Sequence, residues 1–371
     1  MKITAVETIP VTVGVDRRVG EVKDAKGFRF SSQLVVVIVH TDADIDGLGE
    51  FNGTANWSGE IQAGARALID QHFAPRLIGQ DPRQIRACMA RLDNVFGNPF
   101  ARAAVEMALF DILGKSLGAP LFQILGGPVR SLELPVRFPI MPVGPAESAE
   151  VARRMVAEGF RTIKLKVGHD PLQRDLERVR LVREAIGPDV RLTIDANGGW
   201  SVNEAIRAAH ALEEFDLAFV EQPVHRLDLD GLAYVRRQTR LPVMADEAVF
   251  TPHDALACIQ KGAADIISVY PGKNGGILNT LAIVSMAAAA GVSCAIGSNV
   301  EWDIASAAMA HLAAALPNIA VEQHATDIIG PHFHTQHVCE PPLIAAGGWV
   351  SVPSGAGLGI GLQPERLAAL G

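Results

Sequence analysis

The chain has 371 residues, 49% of them hydrophobic, and a formal net charge of −8. That length supports a large buried core divided between one big domain and a smaller one, and the acidic balance excludes the basic footprint of a nucleic-acid binder. Four cysteines, Cys88, Cys258, Cys294 and Cys339, stand far apart, so neither a CxxC metal or redox pair nor a disulfide framework is expected, which fits a reducing cytoplasm.

The N-terminal stretch MKITAVETIPVTV alternates like a strand and lacks the apolar core of a signal peptide. A second strand pattern, QLVVVIVHTDADIDGLGE, ends in an Asp/Gly-rich turn region. Two polar stretches, 16–32 and 51–59, read as loops whose charged or aromatic tips suit a binding lid. Arg17, Lys23, Arg29 and Trp57 are candidate substrate contacts by loop position alone. Helical patterns follow over 60–77, 82–95 and 101–114.

From about residue 134 a repeating unit takes over. Short apolar segments (LPVRFPI, TIKLKVG, RLTIDANG, LAFVEQP, PVMADEA, DIISVYP, VSCAIGSN and IAVEQHA) alternate with amphipathic helical stretches such as 146–158, 172–186, 203–215 and 277–290. The segments start roughly 25 to 30 residues apart, the size of one strand–helix unit. Eight units point to a closed parallel (β/α) barrel, with an open doubly wound sheet as the alternative. The alanine-rich stretch 305–315 is too short to span a membrane. A last strand pattern, GWVSVPSG, suits a return to the first domain. The expected division is an α+β capping domain over 1–128, a modified TIM-type barrel over 129–345 and a returning segment over 346–371.

In a parallel barrel the chemistry sits at the C-terminal ends of the strands. The second segment carries Lys164 and Lys166, which alternation places on one face with Leu165 on the other. A neighbouring cation and partial burial would lower a lysine pKa towards that of a useful base. The next three segments end in Asp195, Glu221 and Asp246. One carboxylate on each of three successive strand ends calls for a hard cation, Mg2+ or Mn2+. Asn197 and Glu247 stand beside them as supporting groups, either of which could be a ligand in place of its neighbour, and Asn197 is also a candidate substrate contact. A lysine base next to such a cation suits removal of a proton α to a carboxylate, the arrangement already described for the enolase superfamily.

These motifs resemble that superfamily, and within it the muconate-lactonizing subgroup of the mandelate racemase/muconate lactonizing enzyme family. The resemblance runs over nearly the whole chain: ALFDILGKSLGAPLFQILGG at 108–127, KLK at 164–166, DAN at 195–197, EQP at 221–223 and ADE at 245–247. It implies that Lys166 is the base and Lys164 its electrostatic partner. It also implies that Asp195, Glu221 and Asp246 are metal ligands, that Glu301 in GSNVEWD is a functional glutamate, and that the protein is a homo-oligomer acting on a small-molecule carboxylate. No histidine ends the seventh segment, which separates the chain from the mandelate racemase subgroup. The subgroup's KxxKxGG pattern reads YPGKNGG here, so Tyr270 stands where a second catalytic lysine is expected. Loss of that lysine favours chemistry on one face, cycloisomerisation or β-elimination, over racemisation by two bases. Lys273, if it reaches in from its loop, restores the second base. A metal-dependent carbon–carbon lyase and a barrel that only binds a carboxylate remain as alternatives. His324 ends the eighth segment and is a candidate substrate contact. His332, His334 and His337 read as surface or lid histidines.

Overall fold

The computed structural model describes residues 1–16, 22–24, 27–29 and 31–370. Arg17 lies outside them, and Lys23 and Arg29 are placed by backbone only, in a hairpin of Val22–Asp24 with Gly27–Arg29. The first unit is a three-stranded antiparallel sheet of Ile3–Gly14, Ser31–Thr41 and Gly47–Phe51. The sequence's long second strand pattern is thus two strands around a turn. Leu34 to Val37 are fully buried on both faces of the central strand, as its unbroken β-branched run requires. The third strand packs on the helix Pro99–Leu117 so closely that it needs glycine. A β-carbon on Gly49 would stand 1.8 Å from the carbonyl oxygen of Ala104.

The second unit is a parallel sheet of seven strands in sequential order: Arg137–Ile140, Thr162–Lys166, Arg191–Asp195, Leu217–Glu221, Val243–Ala245, Ile266–Val269 and Ser293–Ile296. The eighth segment is not a regular strand. It forms a short helix, Val321–His324, flanked by parallel bridges from Ile319 to Cys294 and from Thr326 to Val136. Hydrogen bonds from Ala320 N to Cys294 O and from Arg137 N to Thr326 O join it to the seventh and first strands, closing a ring of eight positions. With the α+β unit against it, this is a modified TIM barrel with an N-terminal capping domain.

The alanine-rich helix Asp303–Ala315 is buried along its whole length. Glu50 of the capping domain receives the backbone N–H groups of Trp302, Ile304 and Ala305 at that helix's N-terminus, at 2.6, 3.0 and 3.1 Å. Glu106 does the same for Leu278 in the helix Ile277–Ala289. Acidic side chains of one unit therefore cap helices of the other, where free N–H groups and the helix dipole favour negative charge. After the barrel, Trp349–Ser351 pairs with Glu133–Pro135, and Gly357 bridges to Pro120.

Candidate active site

The second, third and fourth barrel strands end in register. Lys166 pairs with Asp195, and Asp195 with Glu221. Lys164 and Lys166 both face the ring interior, while Leu165 is buried on the other side. Lys166 Nζ donates to Asp195 Oδ2 at 2.6 Å and to Asn197 Oδ1 at 2.8 Å. Lys164 Nζ lies 2.6 Å from Asp327 Oδ2, 3.3 Å from Glu221 and 3.6 Å from Asp195. The expectation of a lowered Lys166 pKa is not met. Burial, the largest influence, and the Lys164 charge press it down, but the charge and hydrogen bond of Asp195 together with the charge of Glu221 hold the ammonium above its usual range.

The carboxylates are crowded at the mouth. Asp195, Glu221, Asp246 and Glu247 are all buried. Burial, then the charge of Asp195, push Glu221 up to about 8, and Glu247 rises to about 7 through burial and the charge of Asp246. Asp195 goes the other way: burial opposes its ionisation, but Lys166 and Lys164 pull it below the usual carboxylate range. As the side chains stand, no three His, Cys, Asp or Glu groups among the described residues converge to hold an ion; Lys164 lies within 3.6 Å of both Asp195 and Glu221, and Lys273 is paired with Asp246. The donor set nevertheless fits a hard divalent cation. It is all oxygen, its members repel one another, and Glu247 Oε2 is buried with no hydrogen-bond partner among the described residues.

Two backbone details hold these groups in place. Gln222, at φ 36°, turns its side chain to accept from Asp246 N at 3.0 Å and Ala248 N at 3.1 Å, fixing the end of the fifth strand. Asn197, at φ 44°, accepts from Lys166 and donates to Glu247 Oε1 at 2.8 Å.

Across the ring stands Tyr270, which follows the sixth strand. Positions two and six of eight are diametrically opposed, so Tyr270 and Lys166 stand on opposite sides of the ring. The tyrosine is fully buried, and its hydroxyl has no hydrogen-bond partner among the described residues. Burial, then the charges of Asp246 and Glu301, hold its pKa well above that of a free phenol, so it stays neutral. Lys273 does not take the missing lysine's place. Its ammonium is fully buried and donates to Asp246 Oδ1 at 2.8 Å, Asp246 O at 3.0 Å and Ser268 O at 2.7 Å. Trp57 of the capping domain packs on this side, 5.0 Å from Phe250 and 6.1 Å from Tyr270 between ring centroids. Glu301 is buried after the seventh strand and accepts from Ser298 Oγ at 2.5 Å and Asn299 N at 3.0 Å.

His324 does not join the site. Its Nε2 is 3.1 Å from Ser293 Oγ at the start of the seventh strand, towards the opposite mouth of the barrel. His332 packs against Phe138 and Phe160, His334 bonds Ser32 Oγ, and His337 bonds Asp303. Two groups that the sequence did not single out are central instead. Asp327 receives Arg137 Nε at 2.5 Å, Arg137 Nη2 at 2.8 Å and Lys164 Nζ at 2.6 Å. Although burial opposes ionisation, these cations hold Asp327 down at about 2.

Residues 5–126 match the mandelate racemase/muconate lactonizing enzyme N-terminal domain, and residues 147–366 match the enolase C-terminal domain-like family. The chain is 35% identical to an L-Ala-D/L-Glu epimerase of Bacillus subtilis over 97% of both proteins. The muconate lactonizing enzyme of Pseudomonas fluorescens, solved with muconolactone, superposes with a TM-score of 0.94 at 32% identity, covering 100% of this chain and 99% of that one. The dipeptide epimerase of Enterococcus faecalis, complexed with Mg and a dipeptide, gives 0.91 at 32% identity over 97% and 99%. A capped barrel with a lysine pair and acidic strand ends on one mouth is the architecture of an enzyme. The chain belongs to the enolase superfamily, in its mandelate racemase/muconate lactonizing enzyme family.

Proposed function

We propose that the protein removes the proton α to the carboxylate of a small acid, with Lys166 as the base. The reaction then proceeds by cycloisomerisation or β-elimination rather than by proton exchange between two lysines. The observation that carries this reading is that a buried phenol, Tyr270, follows the strand opposite Lys166 in the ring, where two-lysine chemistry needs a second amine. A neutral phenol is a poor base near pH 7. Asp195, Glu221 and Asp246 would hold Mg2+ or Mn2+. When bound, that cation supplies the positive charge that stabilises the enediolate form of the substrate.

The chain's own residues do the rest. Lys164, anchored by Asp327, adds a fixed positive charge beside Lys166. Asn197 aims Lys166 by accepting its second hydrogen bond. Lys166 must lose its proton to act, and Asp195 at present opposes that loss. Burial and the neighbouring Lys164 charge favour the loss. Trp57 brings the capping domain over the Tyr270 side and narrows access for water.

The test uses wild-type enzyme and Lys166→Ala with Mg2+ in D2O. Each is incubated with dipeptides, N-acylated amino acids, muconate and β-hydroxy acids, and α-deuterium uptake and products are read by NMR. Wild-type exchange or turnover that Lys166→Ala loses, with its melting temperature kept, supports the reading. Undiminished exchange in Lys166→Ala sinks it. Net inversion at the α carbon without another bond change would mark a racemase or epimerase.

A further inference from the structure

Resting on the enolisation reading, we propose that Tyr270 is a catalytic residue for the leaving group. It hydrogen-bonds an oxygen on the substrate's β carbon, so the substrate is a β-hydroxy carboxylate and the reaction is loss of water. A buried hydroxyl without a partner is an expensive feature, and phenylalanine would fill the same space without it. The hydroxyl is therefore matched to a partner that arrives with the ligand. The neighbourhood is polar in the same sense. Ser268 Oγ, which lies against Gly297 beside the Tyr270 ring, is also buried and unpartnered among the described residues. So is Asn52 Oδ1 of the capping domain, which a β-carbon on Gly272 would meet at 3.4 Å.

The placement fixes the geometry of the step. Lys166 and Tyr270 stand on opposite sides of the ring, so one face of the substrate meets the base and the other meets the phenol. Lys166 takes the α proton, and the electron pair of that C–H bond passes into the enediolate. The pair then returns to form the Cα–Cβ double bond while the Cβ–O bond breaks with its electrons on oxygen. Tyr270 O–H gives that oxygen its proton, and water leaves. The phenolate recovers a proton through solvent, and Lys166 releases its own to solvent, so the enzyme returns to its starting state. Lys273 Nζ, 4.9 Å from the Tyr270 ring centroid, favours the negative charge that grows on the ring during transfer.

The experiment compares wild type, Tyr270→Phe and Lys166→Ala, all with Mg2+ in D2O. The probes are β-hydroxy-α-amino acids, their N-acyl forms and sugar acids. The wild type is expected to release water from at least one of them. Tyr270→Phe is expected to lower kcat for water loss by about 100-fold or more, with KM within about threefold. It should keep α-deuterium exchange and melt no lower than wild type, since it removes the buried unpartnered hydroxyl. Unchanged water loss by Tyr270→Phe overturns the proposal, as does a wild type that exchanges α protons across the panel but never loses water. Failure of the underlying reading looks different: water loss or exchange then survives in Lys166→Ala, or the wild type exchanges no α proton.

Discussion

Tyr270 and Gly297 are fitted to one another across the sixth and seventh strand ends. A β-carbon on Gly297 would stand 3.0 Å from Tyr270 Cε1 and 2.1 Å from Ser268 Oγ. Thus Ser268 Oγ, with the Tyr270 ring beside it, leaves little room for a side chain at position 297. Gly297→Ala should lower stability by about 1–3 kcal/mol through overpacking. Adding Ser268→Ala should recover part of that loss, with the contact to Tyr270 accounting for the remainder. Chemical denaturation of the two single variants and the double variant measures this. A single Gly297→Ala variant as stable as wild type contradicts the packing.

Asp327 joins Arg137 and Lys164 in one buried network. Removing its charge leaves two buried cations short of a partner, a change that typically costs about 3–5 kcal/mol. Asp327→Asn should therefore melt well below wild type. The sign of the pH dependence is fixed by its folded pKa of about 2, below the ordinary aspartate value of 3.8. The stabilisation is present above 3.8 and is lost as pH falls through about 2. Wild-type stability should drop over that window, and the variant should lack this component. Matching acid profiles for the two proteins would show that the network contributes nothing.

A cation at Asp195, Glu221 and Asp246 should bind the folded chain alone and so raise its melting temperature. At a hundred times the dissociation constant the gain is about 2.7 kcal/mol. Mg2+ titration followed by thermal unfolding should show a concentration-dependent rise that EDTA reverses. Asp195→Asn and Glu221→Gln should each blunt it, because both remove charge from the cluster. An equal rise in both variants would place the ion elsewhere.

The strand ends were legible in the sequence because spacing alone brings Lys166, Asp195 and Glu221 into register. The eighth position was legible only as a place in the repeat. Its apolar run forms the turn of helix Val321–His324, so the residue facing the site comes three positions later, at Asp327 rather than His324. Nothing local marks Asp327, since its partners Arg137 and Lys164 lie 190 and 163 residues away. Gln222 was hidden for another reason. Its role depends on a positive φ that no composition pattern reports.

Glu50 carries the opposite pH sign to Asp327. It is fully buried at the N-terminus of the helix Asp303–Ala315, and burial raises its pKa to about 8, although the N–H groups of Trp302 and Ala305 pull the other way. The ordinary glutamate value is 4.5. The folded chain therefore holds a proton that the unfolded chain releases, and stability from this group is greatest below 4.5. That contribution fades as pH rises and is gone above about 8. Glu106, raised to about 7 mainly by burial, acts in the same direction at the neighbouring helix. Wild type should thus lose stability between pH 4.5 and about 8. Glu50→Gln keeps an acceptor for the helix but cannot ionise, so its decline over that range should be shallower. Melting temperatures of both proteins at matched ionic strength decide the matter. Parallel curves would mean that Glu50 is already ionised at pH 6, with the helix N-terminus outweighing burial.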